Sequence, residues 1–470
     1  GGGGIELLAR AVARHRADPR FRMVALGDER VVSRWVLPEG VVRHRLAPLT
    51  VAGRRELFGV QDGVVLSELC ALPAHLALAR QSCGPASTAE ELVDNWVHGR
   101  DEASIGTLLA QAPPGRYIWR LLAARDLVSE QPQVIAQRLA DDPDAWEPIV
   151  LSVIARLGDA PAARADLLRA LTDSPRGALI AAEYADAQLR PLIIPELLAL
   201  ISAGGLTAFD RERAGRVLAT WGDPRDLDEL VAVPGGTTTI GCAAQPNSVP
   251  VHTVEVAPFA IGRYPVTNGQ YEIFVADTHR PWRSPDHGVP HRRSAPATDL
   301  TWHDANAYCA WLTQRWRAAG RITPAQVVRL PTEIEWERAA RGDLGAVEHN
   351  SYPWGAQWID GAANSEEAGM NGTCTVGIFP AGRSPFGVDD LAGQVWEWCS
   401  TLWGEDPAAP SFSYPYTDDG REEYGAGPSV RRVLRGGCFS SGRAKAGNTY
   451  RGSLEPDGFW RGNGFRLVVQ

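Results

Sequence analysis

The sequence predicts an α+β protein: an N-terminal all-helical, partly solenoid-like region, followed by a domain with little regular secondary structure. Two observations carry this prediction. Amphipathic stretches separated by Pro, Gly and Asp turns recur up to about residue 228. Beyond it, short strand-like segments and two helix patterns lie among long connections. We therefore expect three regions: residues 1–100, mostly helical; residues 101–228, helical and repeat-like; and residues 229–470, the second domain.

The helical region contains apolar residues at helical spacing in several stretches: Ile105–Ala110, Ile118–Ala124, Val134–Leu139, Ile149–Leu157 and Leu192–Ile201. A weak repeat relates Val153–Pro161 to Val217–Pro224, where each copy is a helix end followed by glycine as a stop signal. Repeats of this kind are typical of helical solenoids.

Two further helices are predicted in the second domain. Residues 304–316 carry one apolar stripe, formed by Ala307, Tyr308, Trp311 and Leu312. Thr332 followed by Glu335 has the spacing of a capping box, so a helix begins there and turns Trp336, Ala339 and Ala340 inward. We expect most of the tryptophans to lie in the core.

Composition excludes several classes of protein. With 44% hydrophobic and 22% charged residues, the 470-residue chain is an ordinary globular protein. Its net charge of -9 argues against a general nucleic-acid surface. We expect no membrane span and no signal peptide, because no run of about 20 apolar residues occurs. Seven cysteines without paired spacing indicate reduced thiols and a cytoplasmic protein.

Several motifs of the second domain carry a family resemblance: Arg329–Gly342, Leu391–Trp398, Arg435–Gly437 and Gly464–Arg466, with Val233–Gly241 and Tyr352–Gly355 in support. In this order and spacing they resemble the formylglycine-generating enzyme and sulfatase-modifying-factor family. The resemblance covers about the C-terminal half and implies a variant of the C-type lectin fold for residues 229–470.

The N-terminal residues are similar to the back half of a STAND or NACHT-type NTPase module. The segments that carry this resemblance are Phe21–Gly27, His44–Thr50 and Leu66–Leu78. Lys445 is the only lysine, so the chain has no Walker A phosphate loop. The resemblance therefore implies a remnant of such a module.

The resemblance to the enzyme family also implies where catalytic residues belong. The family's enzymes hold Cu(I) with two cysteines after the Arg-Gly-Gly strand and oxidise a substrate cysteine; the matching positions here are Ser441 and Ala446. Cys438 has no thiol partner nearby in sequence. A related iron-dependent branch uses three histidines in a helical domain, whereas His15, His44, His75 and His98 are dispersed. We therefore predict no enzymatic activity and no catalytic cofactor; an oxidase of the formylglycine type or a related metal-dependent oxidoreductase is the alternative.

The family also binds a structural Ca²⁺ near the Gly-x-x-Trp-Glu-Trp turn. The matching positions here are Asp390, Gly393, Val395 and Glu397, two carboxylates and two backbone carbonyls. Oxygen-only ligation suits Ca²⁺. The alternative is a hydrogen-bonded turn with solvated carboxylates.

The segment between Gly437 and Gly464 has neither helix period nor strand alternation, and it mixes aromatic and Arg residues with Ser, Gly and Asn, as recognition surfaces do. Its frame also resembles the variable proteins of diversity-generating retroelements. We predict a sensor- or receptor-like protein that binds an unknown protein or other macromolecule, with a part in a bacterial signalling or conflict system. An ordinary surface loop and a structural subunit remain alternatives. The predicted ligand-binding residues are Phe439, Ser440, Ser441, Arg443, Lys445, Asn448, Tyr450, Gly452, Ser453, Leu454, Gly458, Phe459, Trp460, Arg461 and Asn463.

Overall fold

The computed structural model describes residues 123–204, 206–342 and 351–470. Two compact units divide the chain between Ile193 and Ile194, whereas the sequence predicts a boundary between residues 228 and 229. The predicted STAND/NACHT-like remnant in residues 1–100 lies outside the described residues. None of the helices in the described ranges is long and apolar enough to cross a bilayer.

The described residues of the N-terminal unit form consecutive helices, as predicted: α1 (Pro132–Asp141), α2 (Pro143–Arg156), α3 (Pro161–Leu171) and α4 (Pro175–Tyr184). Each begins with proline, which suits a first turn that lacks N–H partners. Asp142 and Ser174 cap α2 and α4 with their side chains. Buried leucine and isoleucine side chains, Ile135, Leu139, Ile154, Leu168 and Leu179 among them, form the core of this unit.

Two helices come next, α5 (Arg190–Ala203) and α6 (Ala208–Trp221). The two glycines of the predicted repeat behave differently. Gly222 follows α6 with φ of 94°, a backbone conformation that favours glycine as a helix stop. Gly158 instead lies inside a short 3-10 turn, Leu157–Asp159, after α2.

The described residues of the second domain form short strands and three α-helices. Its elements are β1 (Leu230–Val233), β2 (Gly236–Ile240), β3 (His252–Val256), β4 (Phe259–Gly262), α7 (Asn268–Thr278), α8 (Trp302–Ala318), β5 (Val328–Arg329), α9 (Glu333–Arg341), β6 (Trp396–Gly404), β7 (Arg431–Arg435), β8 (Gly452–Leu454), β9 (Asn463–Gly464) and β10 (Val468–Val469). Short 3-10 turns include Pro246–Ser248, Pro290–Arg292, Glu366–Ala368 and Pro380–Gly382.

Three small sheets organise these strands. The first has the order β1-β4-β10-β5, so the last strand of the chain pairs between early strands, with Val468 opposite Ile261. The second is the ribbon β2-β3, and the third has the order β8-β7-β6-β9. Antiparallel pairing of β6 with β7 brings Glu397 opposite Arg435.

Both predicted helices of this domain form. α8 begins at a capping box of Thr301 and Asp304, and its buried stripe centres on Tyr308 and Leu312, with Ala307 and Trp311 only partly buried. α9 has the predicted capping box, and Trp336, Ala339 and Ala340 are buried. A helical region followed by an α+β domain with short strands confirms the predicted fold class.

Candidate functional site

The turn after β7 holds the residues that stand where the family's enzymes carry cysteines. Gly436 and Gly437 have φ of 90° and 72°, so the chain reverses directly after Arg435. The Cys438 N–H then donates to Ser441 Oγ at 3.0 Å, and Cys438 Sγ lies 3.3 Å from Ser440 Oγ. Ala446 is fully buried against Ala363 and Ala392. One thiol, two hydroxyls and a methyl group therefore meet here.

This donor set does not fit copper. Cu(I) requires soft sulfur ligands, and neither Ser441 nor Ala446 supplies one. Within residues 123–204, 206–342 and 351–470, no group of three or more His, Cys, Asp or Glu side chains could hold a metal ion. The four histidines weighed for iron lie outside the described residues.

The predicted Ca²⁺ site does not fit either. Glu397 is fully buried, and both of its oxygens accept hydrogen bonds from Arg466 at 2.7 Å. Trp336 Nε1 also donates to Glu397 Oε2 at 2.7 Å. Because a guanidinium already neutralises this carboxylate, the prediction of Asp390, Gly393, Val395 and Glu397 as Ca²⁺ ligands needs correction.

Asp390 accepts a hydrogen bond from the Gly377 N–H at 2.7 Å. Burial, and then the adjacent Asp389 carboxylate, raise the pKa of Asp390 to about 7. Gly393 has a φ of 73° and donates its N–H to Gly436 O in the turn after β7, and Val395 is buried. These positions behave as a packed, hydrogen-bonded turn.

Four of the predicted ligand-binding residues are buried: Phe439, Ser441, Asn448 and Asn463. The Arg461 guanidinium carbon lies over Phe439, 5.3 Å from the centroid of the Phe439 ring. Ser441 Oγ accepts a hydrogen bond from the Cys438 N–H, and Asn463 lies in β9, which pairs with β6. These four side chains therefore stabilise the segment from inside and cannot touch a ligand at its surface.

Five more predicted residues are partly buried: Tyr450, Gly452, Ser453, Leu454 and Gly458. Tyr450 packs on Trp396, with ring centroids 5.8 Å apart. Gly452, Ser453 and Leu454 form β8, where the backbone pairs with β7. This part of the segment is framework.

The remaining six predicted residues are exposed, and we call them the recognition face: Ser440, Arg443, Lys445, Phe459, Trp460 and Arg461. Phe459 and Trp460 expose 56% and 38% of their surface side by side. The Arg461 guanidinium lies over the ring of Phe439, which directly precedes the exposed Ser440. The Trp460 backbone carbonyl accepts from the Asn463 N–H at 3.1 Å and from the Asp299 N–H at 3.4 Å.

Gly462 controls the position of the Trp460 side chain. A Cβ at this residue would overlap the indole ring of Trp460. We expect Gly462→Ala to turn the indole away while changing the free energy of unfolding by less than about 1 kcal/mol, because the ring can rotate into solvent. ¹⁹F NMR of 5-fluorotryptophan-labelled protein, with the Trp460 signal assigned by Trp460→Phe, measures this. Gly427→Ala, where a Cβ meets nothing, is the control; an unmoved Trp460 signal contradicts the expectation.

Sequence reasoning missed an aromatic cluster next to this face. Tyr352 stacks on Trp354 with centroids 5.2 Å apart, and Trp358 meets both rings edge-on. Trp354 and Trp358 pack against the cluster that contains Ala446. On the same side, Glu367 accepts from the Arg443 N–H at 2.8 Å. The sequence signal that could have revealed this cluster is the presence of three aromatic residues within seven positions.

A family comparison identifies the framework. The model described as the sulfatase-modifying factor enzyme 1-like domain matches residues 219–470. The chain belongs to the sulfatase-modifying factor enzyme 1-like family. The resemblance carried by Arg329–Gly342, Leu391–Trp398 and the two later motifs is thereby confirmed.

Relatives within this family include named enzymes. The hercynine oxygenase of Mycolicibacterium smegmatis is 31% identical over 255 residues, which cover 47% of this chain and 56% of that protein. The formylglycine-generating enzyme of Thermomonospora curvata is 29% identical over 306 residues, covering 51% of this chain and 93% of that enzyme. The chain thus spans about half the length of the hercynine oxygenases that it matches. Among solved structures, Treponema denticola variable protein 1 matches with a TM-score of 0.40 and 22% identity, covering 51% of this chain and 94% of that chain.

These relatives correct one prediction. We predicted no enzymatic activity because Ser441 and Ala446 replace the two cysteines of the family's enzymes. Relatives that are 29–33% identical carry the names of enzymes, so that prediction is wrong. The loss of one metal site does not exclude chemistry elsewhere in a domain of this family.

Proposed function

We propose that the second domain binds a macromolecule, as ligand or as substrate, through the recognition face. The exposed pair Phe459 and Trp460 is the observation that carries this proposal. Aromatic side chains flanked by arginine supply much of the binding energy at protein interfaces. Arg461, Arg443 and Lys445 add three exposed cations to the recognition face of an otherwise acidic chain, which favours a partner with an acidic surface.

A peptide-library selection tests the proposal. Immobilised full chain is panned against a phage-displayed random peptide library, and enriched peptides are synthesised and titrated. Phe459→Ser/Trp460→Ser should weaken binding by about a hundredfold, since each aromatic anchor contributes on the order of 1–2 kcal/mol or more. The melting temperature should hardly change, because both side chains are solvated.

A matched control replaces Ile273, which is 51% exposed on α7, by alanine. This variant should bind the selected peptides like the unmodified chain. Enriched peptides that bind the Phe459/Trp460 variant equally well would refute the recognition face. A large fall in melting temperature would assign the two rings to the core instead.

A second candidate function is oxygen-dependent oxidation, which the names of the relatives favour. Oxygen uptake by the chain with Fe(II), or with Cu(I), in the presence of hercynine or a cysteine peptide tests it against metal-only blanks. Uptake above the blanks would support oxidation, and uptake equal to them would count against it.

Diversification of the recognition face stays a prediction from the resemblance to retroelement variable proteins. A reverse transcriptase gene beside a near-repeat of the segment encoding residues 435–466 is the observation that tests it. The part in a bacterial signalling or conflict system likewise stays a prediction.

A further inference from the structure

A concave surface elsewhere in the second domain shares no lining residue with the recognition face. It lies between β3 and the loop of residues 416–423, and Ile334 of α9 also lines it. Its volume is about 520 Å³, within the range of clefts that hold ligands. The function proposed above does not use this cleft.

One wall of the cleft is the edge of a sheet. Thr253, Val254 and Glu255 of β3 line it. In the described part of the chain, β3 pairs only with β2, so its other edge has no strand partner. Such an edge presents backbone N–H and C=O groups that an added strand can bind.

The opposite wall is fixed in place next to this edge. The Tyr416 N–H donates to His252 Nε2 at 2.7 Å, and His252 Nδ1 contacts Pro250 O at 2.9 Å. Arg421 bonds both oxygens of Asp419, at 2.8 and 2.7 Å, and its guanidinium lies 4.5 Å from the Tyr416 ring centroid. The loop is thus held at the His252 end of β3, and further along this strand Thr253 and Glu255 are exposed.

The cleft is strongly acidic. Glu255, Asp418 and Glu423 are exposed at its rim, and Glu422 lies deeper. The Glu422 carboxylate accepts from Ser400 Oγ at 2.6 Å, from Thr401 Oγ1 at 2.5 Å and from the Tyr416 hydroxyl. The cation among the lining residues, Arg421, is already neutralised by Asp419. The cleft therefore complements a positively charged occupant.

We propose that this cleft binds an extended, lysine- or arginine-rich peptide segment that adds as a strand to the free edge of β3. Backbone hydrogen bonds to the edge would give affinity, and cationic side chains would meet Glu255, Asp418 and Glu423. Side chains on the alternate face of such a strand point the other way. Val254 and Ile334 offer them an apolar contact, so an alternating basic and apolar pattern fits best.

The test titrates the full chain into fluorescein-labelled Lys-Val-Lys-Val-Lys-Val and follows fluorescence anisotropy. The control peptides are the acidic Glu-Val-Glu-Val-Glu-Val and two N-methylated versions of the basic peptide. One version is N-methylated at its odd-numbered residues and the other at its even-numbered residues. We expect the basic peptide to bind and the acidic one not to bind. One N-methylated version should lose binding, because only alternate N–H groups of a strand point at its neighbour.

Protein variants complete the test. Glu255→Gln/Asp418→Asn/Glu423→Gln should weaken binding by about tenfold, from three partly screened charge contacts. Glu130→Gln/Asp141→Asn/Asp173→Asn removes the same charge from exposed positions of the other compact unit and should bind like the unmodified chain. Phe459→Ser/Trp460→Ser should also bind normally, so the two proposed sites fail independently. Equal binding by both N-methylated peptides, or an unchanged affinity of the first triple variant, overturns the proposal.

Discussion

Replacing Arg466 by methionine is expected to lower the free energy of unfolding of the second domain by about 3–5 kcal/mol, the usual cost of removing one partner from a buried ion pair. Arg466 and Glu397 are both fully buried and joined by two contacts of 2.7 Å. Arg466 also donates to Gly262 O and Asp389 O. Without the guanidinium, the Trp336 N–H still donates to the Glu397 carboxylate, but that carboxylate is left in the core without its counter-charge.

Urea unfolding followed by tryptophan fluorescence measures this loss. Arg443→Met removes an arginine that is exposed in the same C-terminal segment and should change stability by less than about 0.5 kcal/mol. Glu397→Gln combined with Arg466→Met should cost less than the sum of the single changes, because the double variant leaves no unpaired charge. Additive losses would show that the two side chains do not act as a pair.

The Glu397–Arg466 ion pair shows a limit of what the sequence can predict. Glu397 comes from the Trp-Glu-Trp motif and Arg466 from the Gly-Phe-Arg motif, so two strings that identified the family are joined by one ion pair. The order and spacing of the motifs were enough to recognise both strings as belonging to the family. They could not predict that Glu397 faces a guanidinium and not a cation site, because the partner lies 69 residues later in the chain.

The helix α9 shows the same limit. Its capping box and inward tryptophan followed from local spacing, which depends on residues three or four apart. Local spacing gives no sign that Glu333 and Glu337 are buried, yet both are fully buried and paired with Arg435 and Arg451, which come from later in the chain. Although burial alone would raise it, Arg451 and Arg435 hold the pKa of Glu333 below its ordinary value.

The composition of residues 438–463 indicated a recognition surface, but the sequence could not predict which of these residues are exposed. Phe439 and Phe459 carry the same side chain, and one is buried under Arg461 while the other is 56% exposed. Without period or alternation, nothing in the local sequence separates an inward from an outward residue. The free edge of β3 depends on the ribbon's neighbours in space and therefore had no sequence signal.

Asp390 should make the stability of the second domain fall as pH rises. Its pKa is raised to about 7 by burial and by Asp389, while Arg466, Arg225 and the Gly377 N–H act in the opposite direction. A carboxyl whose pKa is higher in the folded state contributes its full stability below pH of about 4 and loses it as pH rises through about 7. A shift of roughly three units corresponds to about 4 kcal/mol.

The comparison that isolates this effect is Asp390→Asn. Asp390 has φ of 59°, a left-handed conformation that asparagine tolerates, and the amide oxygen can still accept the Gly377 N–H. Urea unfolding at intervals from pH 4 to pH 8 should show the two proteins diverging, with the unmodified chain losing about 4 kcal/mol relative to the variant. All other titrating groups are shared, so the contributions of those that do not interact with Asp390 cancel in the difference. Parallel curves would mean that Asp390 is ionised throughout, held by Arg225 and Arg466 more strongly than burial opposes.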